Sequence, residues 1–491
     1  MRSDPRSHRR VGAVSPSAVY SSGRTAPEPL RPGLRRLRGE LNVPDAFPAS
    51  VEAEAAASAR DTSLPVRDAT DIPLVTIDPP GSTDLDQALF IAREGEGYRV
   101  VYAIADLERF VTPGSALDAE VHARGVTLYA PDGRVPLHPT VLSEGAASLL
   151  PDVERPALLW EHTLDAEGRT TASRVEPARV RSRAQLSYEQ VQASLDDGTA
   201  DETLMLLREV GLKREALERD RGGVSLQIPE QEVEVIDGRW ALRFRATLLV
   251  EGWNAQISLL TGMAAAELML RGGVGILRTL PPARPADVAR LRRVASALGI
   301  RWSASLSYPE FVRTLDPACP RDLAMLNACT TLFRGAGYVA FDGASPQQPL
   351  HGAMNAPYAH CTAPLRRLAD RYANAVCVAL SAGAPVPAWA RSGLAALPGV
   401  MGKATQRSNA YERGILSLVE ALVLDTRRDE EFVGTVVEVN EKSGRAELQL
   451  ADPAVSAPME GEPHVLGEQA AARLVEADLL TGAVLFARES Q

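Results

Sequence analysis

The segment Thr76–Gln87 (TIDPPGSTDLDQ) gathers three carboxylates, Asp78, Asp84 and Asp86. Asp84 and Asp86 stand two residues apart, so an extended chain points both to one face. The turn at Pro79-Pro80-Gly81 can fold Asp78 back beside them. Three converging carboxylates repel one another unless a cation sits between them. Hard oxygen ligands of this kind suit Mg²⁺ or Mn²⁺. Two such ions about 4 Å apart clamp the attacking and leaving oxygens of a phosphodiester. The plain alternative is a solvated acidic turn, because an Asp-x-Asp triplet by itself is common.

A second group of chemically capable residues lies in YAHCTAPLRRLADRYAN, residues 358–374. Thr362 is a candidate N-cap and Pro364 suits a first turn, so a helix is expected over 363–381. Leu365, Leu368, Tyr372 and Val376 mark its apolar face. Arg366 and Arg367 then fall in the first turn, where the helix dipole disfavours cations. Free N–H groups and guanidinium forks at one place make an anion site that suits a phosphate. The alternative is intrahelical pairing with Asp370, worth only about 0.2–0.5 kcal/mol.

The elements that must hold these groups follow from texture. Strands are expected at Pro73–Asp78, at 97–105 (GYRVVYAIA) and at 157–165 (ALLWEHTLD). A short helix is expected over 46–60. Apolar residues recur at three- and four-residue spacing over 186–219, 247–270, 285–298, 320–333, 363–381 and 403–426. The fold class is therefore α+β, a mixed sheet surrounded by helices over residues 71–428, with a small C-terminal OB-like β-barrel over 429–491. That barrel begins with a hairpin, FVGTVVEV and RAELQL around the turn NEKSG, and AVLFAR supplies a later strand. Residues 1–40 read as a flexible basic tail and 41–70 as a short helical segment. Trp253 reads as core and His360 as a structural hydrogen-bonding residue.

Composition narrows the function classes. The 491 residues carry a net charge of −10. Residues 1–40 hold nine Arg and three acids (+6), leaving 44 basic and 60 acidic residues (−16) in the remainder. No broad basic face is evident, which argues against stable binding of duplex DNA. No stretch is apolar enough to span a membrane, and the N-terminus lacks a signal-type apolar segment. Cys319, Cys329, Cys361 and Cys377 are scattered without CxxC spacing. They read as reduced thiols of a cytoplasmic protein.

The order of motifs resembles the ribonuclease II/ribonuclease R (RNB) family, in a short form without N-terminal cold-shock domains. After the acidic loop come Ile104-Ala105-Asp106, Pro113-Gly114-Ser115, Arg124-Gly125, Tyr129-Ala130-Pro131-Asp132, the stretch Leu142–Leu149 and the 358–374 segment. The resemblance implies 3′-to-5′ hydrolysis of single-stranded RNA to nucleoside 5′-monophosphates, with Mg²⁺ (or Mn²⁺) at the base of a channel. It implies metal binding by Asp78, Asp84 and Asp86. It also implies that Tyr129 stacks on the 3′-terminal base, that Arg366, ahead of Arg367, contacts the scissile phosphate, and that Glu412 belongs to the RNA-binding set.

Three departures stand out. Gln87 occupies the place of a fourth carboxylate, which weakens one metal site. Ala363 replaces the usual Ser, and Cys361 an aromatic residue. The C-terminal barrel, at four basic and 13 acidic residues, lacks the basic groove and stacking rings of an RNA-binding barrel. Two functions therefore remain open: a metal-dependent exoribonuclease, and a catalytically weakened protein that still binds RNA.

Overall fold

The structure, a computed structural model, describes residues 19–20 and 28–489, except 62, 227–229, 237–238, 246, 318, 429, 441–444, 451–452, 454 and 462–463. Most of the expected N-terminal tail and of the NEKSG turn thus lies outside the described residues.

The sheet around which the large unit is built is a closed barrel. Its strands are β1 (Leu74–Asp78), β2 (Gln87–Glu94), β3 (Gly97–Ala105), β6 (Glu154–Leu164) and β7 (Thr170–Ser187), joined in that order. Between β3 and β6 the chain forms a small separate ribbon, β4 (Leu128–Ala130) paired with β5 (Gly133–Val135). Neighbours in the barrel run antiparallel except β1 and β7, which are parallel and close it. The expected mixed sheet is thus correct in kind, and its closure removes the free edges that an open sheet exposes. Tyr102 on β3 faces Trp160 on β6 in register, and both are fully buried.

Helices cover this barrel. One of them, α2 (Leu249–Gly272), is apolar on all sides and largely buried, as a helix inside a core must be. Trp253 lies on it against Gly211, where a Cβ would come within 2.5 Å of the Trp253 side chain, so Trp253 is core. Residues 186–219 form two helices, Tyr188–Asp197 and Glu202–Asp220, each with its own side-chain N-cap. The helix α4 (Leu397–Asp425) runs from this unit into a second core. That core includes a closed five-stranded barrel, β8 (Glu431–Asn440), β9 (Arg445–Leu450), β10 (Ser456–Glu460), β12 (Val484–Arg488) and β11 (Gln469–Ala477), in that spatial order.

The tail expectation needs one correction. Residues Arg31–Glu40 form a helix, α1, which buries Leu34 in the core it shares with Tyr411, Ile415 and Leu418. Gly33 permits the approach, since a Cβ there would lie 2.5 Å from the Leu418 Cδ2. Basic composition concealed an apolar stripe that finds its partner only across the fold. Among the described residues no helix is long and apolar enough to cross a membrane. All four cysteines are free thiols.

Candidate active site

The acidic loop, residues 79–86, connects β1 to β2. Asp78 ends β1 and Gln87 begins β2. Leu85 is fully buried between Asp84 and Asp86, and Ser148 fastens the loop at Leu85 and at Thr83. The Ser148 hydroxyl accepts from Leu85 N at 2.9 Å and donates to Thr83 O at 2.7 Å. Ala105 N donates to Asp86 O at 2.9 Å. The loop is therefore held by backbone and hydroxyl contacts that leave its carboxylates for other partners.

Those partners come from two later segments. Asp86 is almost fully buried; its Oδ1 accepts from Leu365 N at 2.8 Å and its Oδ2 lies 3.3 Å from Arg366 Nε. Asp84 is ion-paired with Arg134 of β5. Burial pushes the Asp86 carboxyl up to about 8, against the opposing pull of Arg366 and the Leu365 N–H. Burial also raises Asp78 to about 6, with Arg366 opposing and Asp84 adding to the shift. Gln87 donates its amide N–H to Thr362 O.

The arginine segment departs from expectation. The helix α3 (Leu368–Ser381) starts five residues later than the spacing suggests, and Arg367, extended at φ −140° and ψ 125°, is its N-cap. The reason is tertiary. Thr127 N donates to Arg366 O at 3.1 Å and Leu368 N donates to Gly125 O at 3.0 Å, which draws 366–368 out straight beside 125–127. Asp370 replaces Thr362 as the local organiser, accepting from Ala363 N at 2.7 Å. Both Asp370 oxygens take bonds from Arg367 at 2.9 Å. Arg367 is thereby committed to a bidentate ion pair, whereas Arg366 is half exposed beside Asp86.

Tyr129 lies on β4 and is 38% exposed, a large aromatic surface for a ring so close to the acidic loop. Asp84, Asp86 and Arg366 all act electrostatically on its hydroxyl. Glu412 lies on α4, where the Ser408 hydroxyl donates to it at 3.0 Å. His360 Nδ1 lies 2.6 Å from the Tyr338 hydroxyl, consistent with a structural role. Beyond Gln87 a cavity of about 320 Å³ opens, whose lining includes Tyr102, Tyr188, Tyr358, Arg278, Arg366 and Arg367.

Several motif residues are scaffolding. Asp106 caps the turn Leu107–Arg109 and Ser115 caps the helix Ala116–Arg124. The buried Arg124 lies 3.6 Å over the Phe47 ring and bonds to Ala46 O and Pro136 O. Sequence reasoning missed Arg134 and His138, whose Nδ1 lies 3.1 Å from Leu365 O, and it included Glu144 and Ser148 only as part of the stretch Leu142–Leu149, with no role for either. The placement of Tyr129 and Arg134 on the two arms of a short hairpin was the available signal for Arg134; His138 carried none.

The donor set fits a hard divalent cation in kind. Every candidate ligand is oxygen, and the two raised carboxyls bear a burial cost that a bound cation relieves. Asp86 is at present held by Arg366 and the Leu365 N–H and Asp84 by Arg134, and among the described residues no three His, Cys, Asp or Glu side chains form a metal-ligand cluster.

Comparison with known proteins bears on this arrangement. Residues 66–380 match the RNB domain, and residues 430–489 match the RNase II-type exonuclease C-terminal S1 domain. The Arabidopsis thaliana protein named exosome complex exonuclease RRP44 homolog A is 30% identical over 339 residues, 65% of this chain and 36% of that protein. Ribonuclease R of Escherichia coli (strain K12) is 29% identical over 349 residues, 67% of this chain and 42% of that protein. The chain thus spans well under half the length of these curated relatives. The structure of Mycoplasma genitalium RNase R in complex with ribose-methylated single-stranded RNA is similar with a TM-score of 0.82 at 18% identity, covering 93% of this chain and 77% of that one. Yeast Ssd1, described as a pseudonuclease, is similar with a TM-score of 0.65 at 18% identity, covering 84% of this chain and 53% of that one. At such identity these likenesses concern the fold.

Proposed function

The chain belongs to the RNB-domain family, and on that premise we propose that it hydrolyses single-stranded RNA from the 3′ end, releasing nucleoside 5′-monophosphates. The observation that carries this reading is the meeting of the buried Asp86 carboxylate with Arg366, beside the exposed ring of Tyr129. Asp78, Asp84 and Asp86, with the Gln87 amide oxygen, are the groups that hold Mg²⁺ or Mn²⁺. Such ions supply charge neutralisation at the phosphate and lower the pKa of the attacking water. Arg366 keeps guanidinium N–H groups free of a bidentate partner and donates them to the non-bridging phosphate oxygens. Arg367, fixed on Asp370, orients the segment that carries Arg366. Tyr129 stacks on the terminal base, an interaction that tolerates any base. The preceding nucleotides follow the cavity, whose tyrosine and arginine lining suits a single strand. Glu412 is assigned to the same RNA-contacting set by family resemblance, and the cytoplasm is the compartment that fits free thiols.

One feature favours a second reading, an RNA-binding protein with weakened catalysis. Gln87 brings no charge where a carboxylate would, so it offers a cation a weaker ligand. Body-labelled single-stranded RNA, incubated with Mg²⁺ or Mn²⁺ and then with chelator, separates the two. The nuclease reading expects sustained mononucleotide release that chelator abolishes. It also expects Asp86→Asn to lower release by at least about a hundredfold while RNA binding persists. Gln87→Asp should raise the rate at limiting metal. Binding without release in either metal would establish the second reading.

A further inference from the structure

The guanidinium of Arg134 stands between two carboxylates. Nη1 bonds Asp84 of the acidic loop. Nη2 lies 2.7 Å from Glu144 Oε1 and donates to Thr83 Oγ1 at 2.6 Å. The Thr83 hydroxyl donates in turn to Glu144 Oε2 at 2.9 Å. Glu144 belongs to the five-residue π-turn Leu142–Ala146, a different segment from the loop. A planar fork with five donors is suited to holding two acceptors at once. All three side chains are partly exposed, so their exchange needs no unfolding.

Arg134 also has a cross-strand neighbour. It faces Tyr129 directly in the β4–β5 ribbon. The Asp84 ion pair therefore joins the ribbon that carries the stacking ring to the loop that carries the carboxylates.

We infer that Arg134 is an exchangeable counter-ion of Asp84: a divalent cation competes with it for that carboxylate, and Glu144 keeps the guanidinium when the cation takes Asp84. The inference rests on the metal-dependent reading above. Its physical basis is the second partner. Stripping one carboxylate from an arginine ordinarily leaves an uncompensated charge, which is costly in a half-buried setting. Here Glu144 is already in contact, so the exchange leaves no unpaired cation. The acidic loop is thus held in shape by a protein cation that yields to a metal ion, and Arg134 is a positioning residue for Tyr129 and Asp84 together.

The test is Mn²⁺ binding to the full chain, read from the electron paramagnetic resonance signal of the free ion. Arg134→Met removes the competitor and should raise Mn²⁺ affinity about fivefold, the scale of a partly exposed ion pair. A gain of affinity is a result that structural damage does not produce. Arg134→Lys keeps the charge without the fork and should give a smaller rise. It decides the matter if the Met variant does not fold. Glu144→Gln removes the second partner and should lower Mn²⁺ affinity about two- to threefold. Placed on top of Arg134→Met, it should change nothing further. Equal or weaker Mn²⁺ binding in folded Arg134→Met, with binding intact in the parent chain, overturns the counter-ion role alone. A parent chain that takes up no Mn²⁺ and releases no mononucleotide overturns both this role and the nuclease reading.

Discussion

The two barrels of this chain are built alike and equipped differently. Each has five strands, and each is closed by a single parallel pair, β1 with β7 in one and β10 with β12 in the other. In the first, the connection between the opening strands is the acidic loop, and its carboxylates meet arginines from two later segments. The second is filled by Phe432 against Phe486 and by small side chains such as Ala446, Ala457, Ala470 and Ala472. Its sequence, residues 429–491, carries a net charge of −9. Barrel closure satisfies backbone hydrogen bonds and encloses a core, and it says nothing about chemistry. The site arises where a loop is left charged and a covering segment brings opposite charge to it.

Three measurements would break or sharpen that contrast. The largest effect is expected from Phe486→Ala, which empties the centre of the second barrel and should cost about 3–5 kcal/mol of stability. Denaturant midpoints report the loss, while mononucleotide release per folded molecule should stay at the parental rate. A parallel fall in release would mean the second barrel takes part in the chemistry.

Next comes Tyr129→Ala. Removing a stacked ring should weaken single-stranded RNA binding by about 1–3 kcal/mol, a larger effect than on the thermal midpoint, since the ring is 38% exposed. Unchanged RNA affinity, measured by fluorescence anisotropy, would detach the β4–β5 ribbon from RNA recognition.

The smallest effect concerns His162 in the wall of the first barrel. It is fully buried, lies 2.8 Å from Ser173 Oγ and stacks on Trp160. Burial lowers its pKa from 6.5 to about 3. Below pH 6.5 the unfolded chain takes up a proton that the folded chain refuses. Stability contributed by the neutral ring is therefore complete above that pH and is lost as pH falls toward 3, by up to about 1.4 kcal/mol per pH unit. His162→Gln should be less stable at pH 8 and show a flatter decline between pH 6.5 and 5. An equal slope in both proteins would place the acid sensitivity elsewhere, for instance in His138.

Much of the fold was legible because the relevant signals are local. The strands β1, β3 and β6, the helix α2 and the hairpin β8–β9 each announce themselves by alternation or by three- and four-residue spacing over a short window. The acidic loop was legible for the same reason, since its carboxylates lie within one turn-bearing segment. Residues 31–40 were misjudged because Leu34 is apolar among arginines, and only α4 shows what it packs against.

By itself the sequence determined the family, the α+β class and the residue types available for metal and phosphate. The tertiary structure alone decided how those residues are paired. It drew Arg367 into extended backbone beside Val126 and committed its guanidinium to Asp370. It set Arg366 on Asp86, and it gave Asp84 to Arg134, 50 residues away in the chain. The physical reason is that a carboxylate's partner is chosen by distance and burial in space. Helix propensity and spacing act over a few residues, so they cannot see a backbone strand arriving from residue 125 or a guanidinium arriving from residue 134.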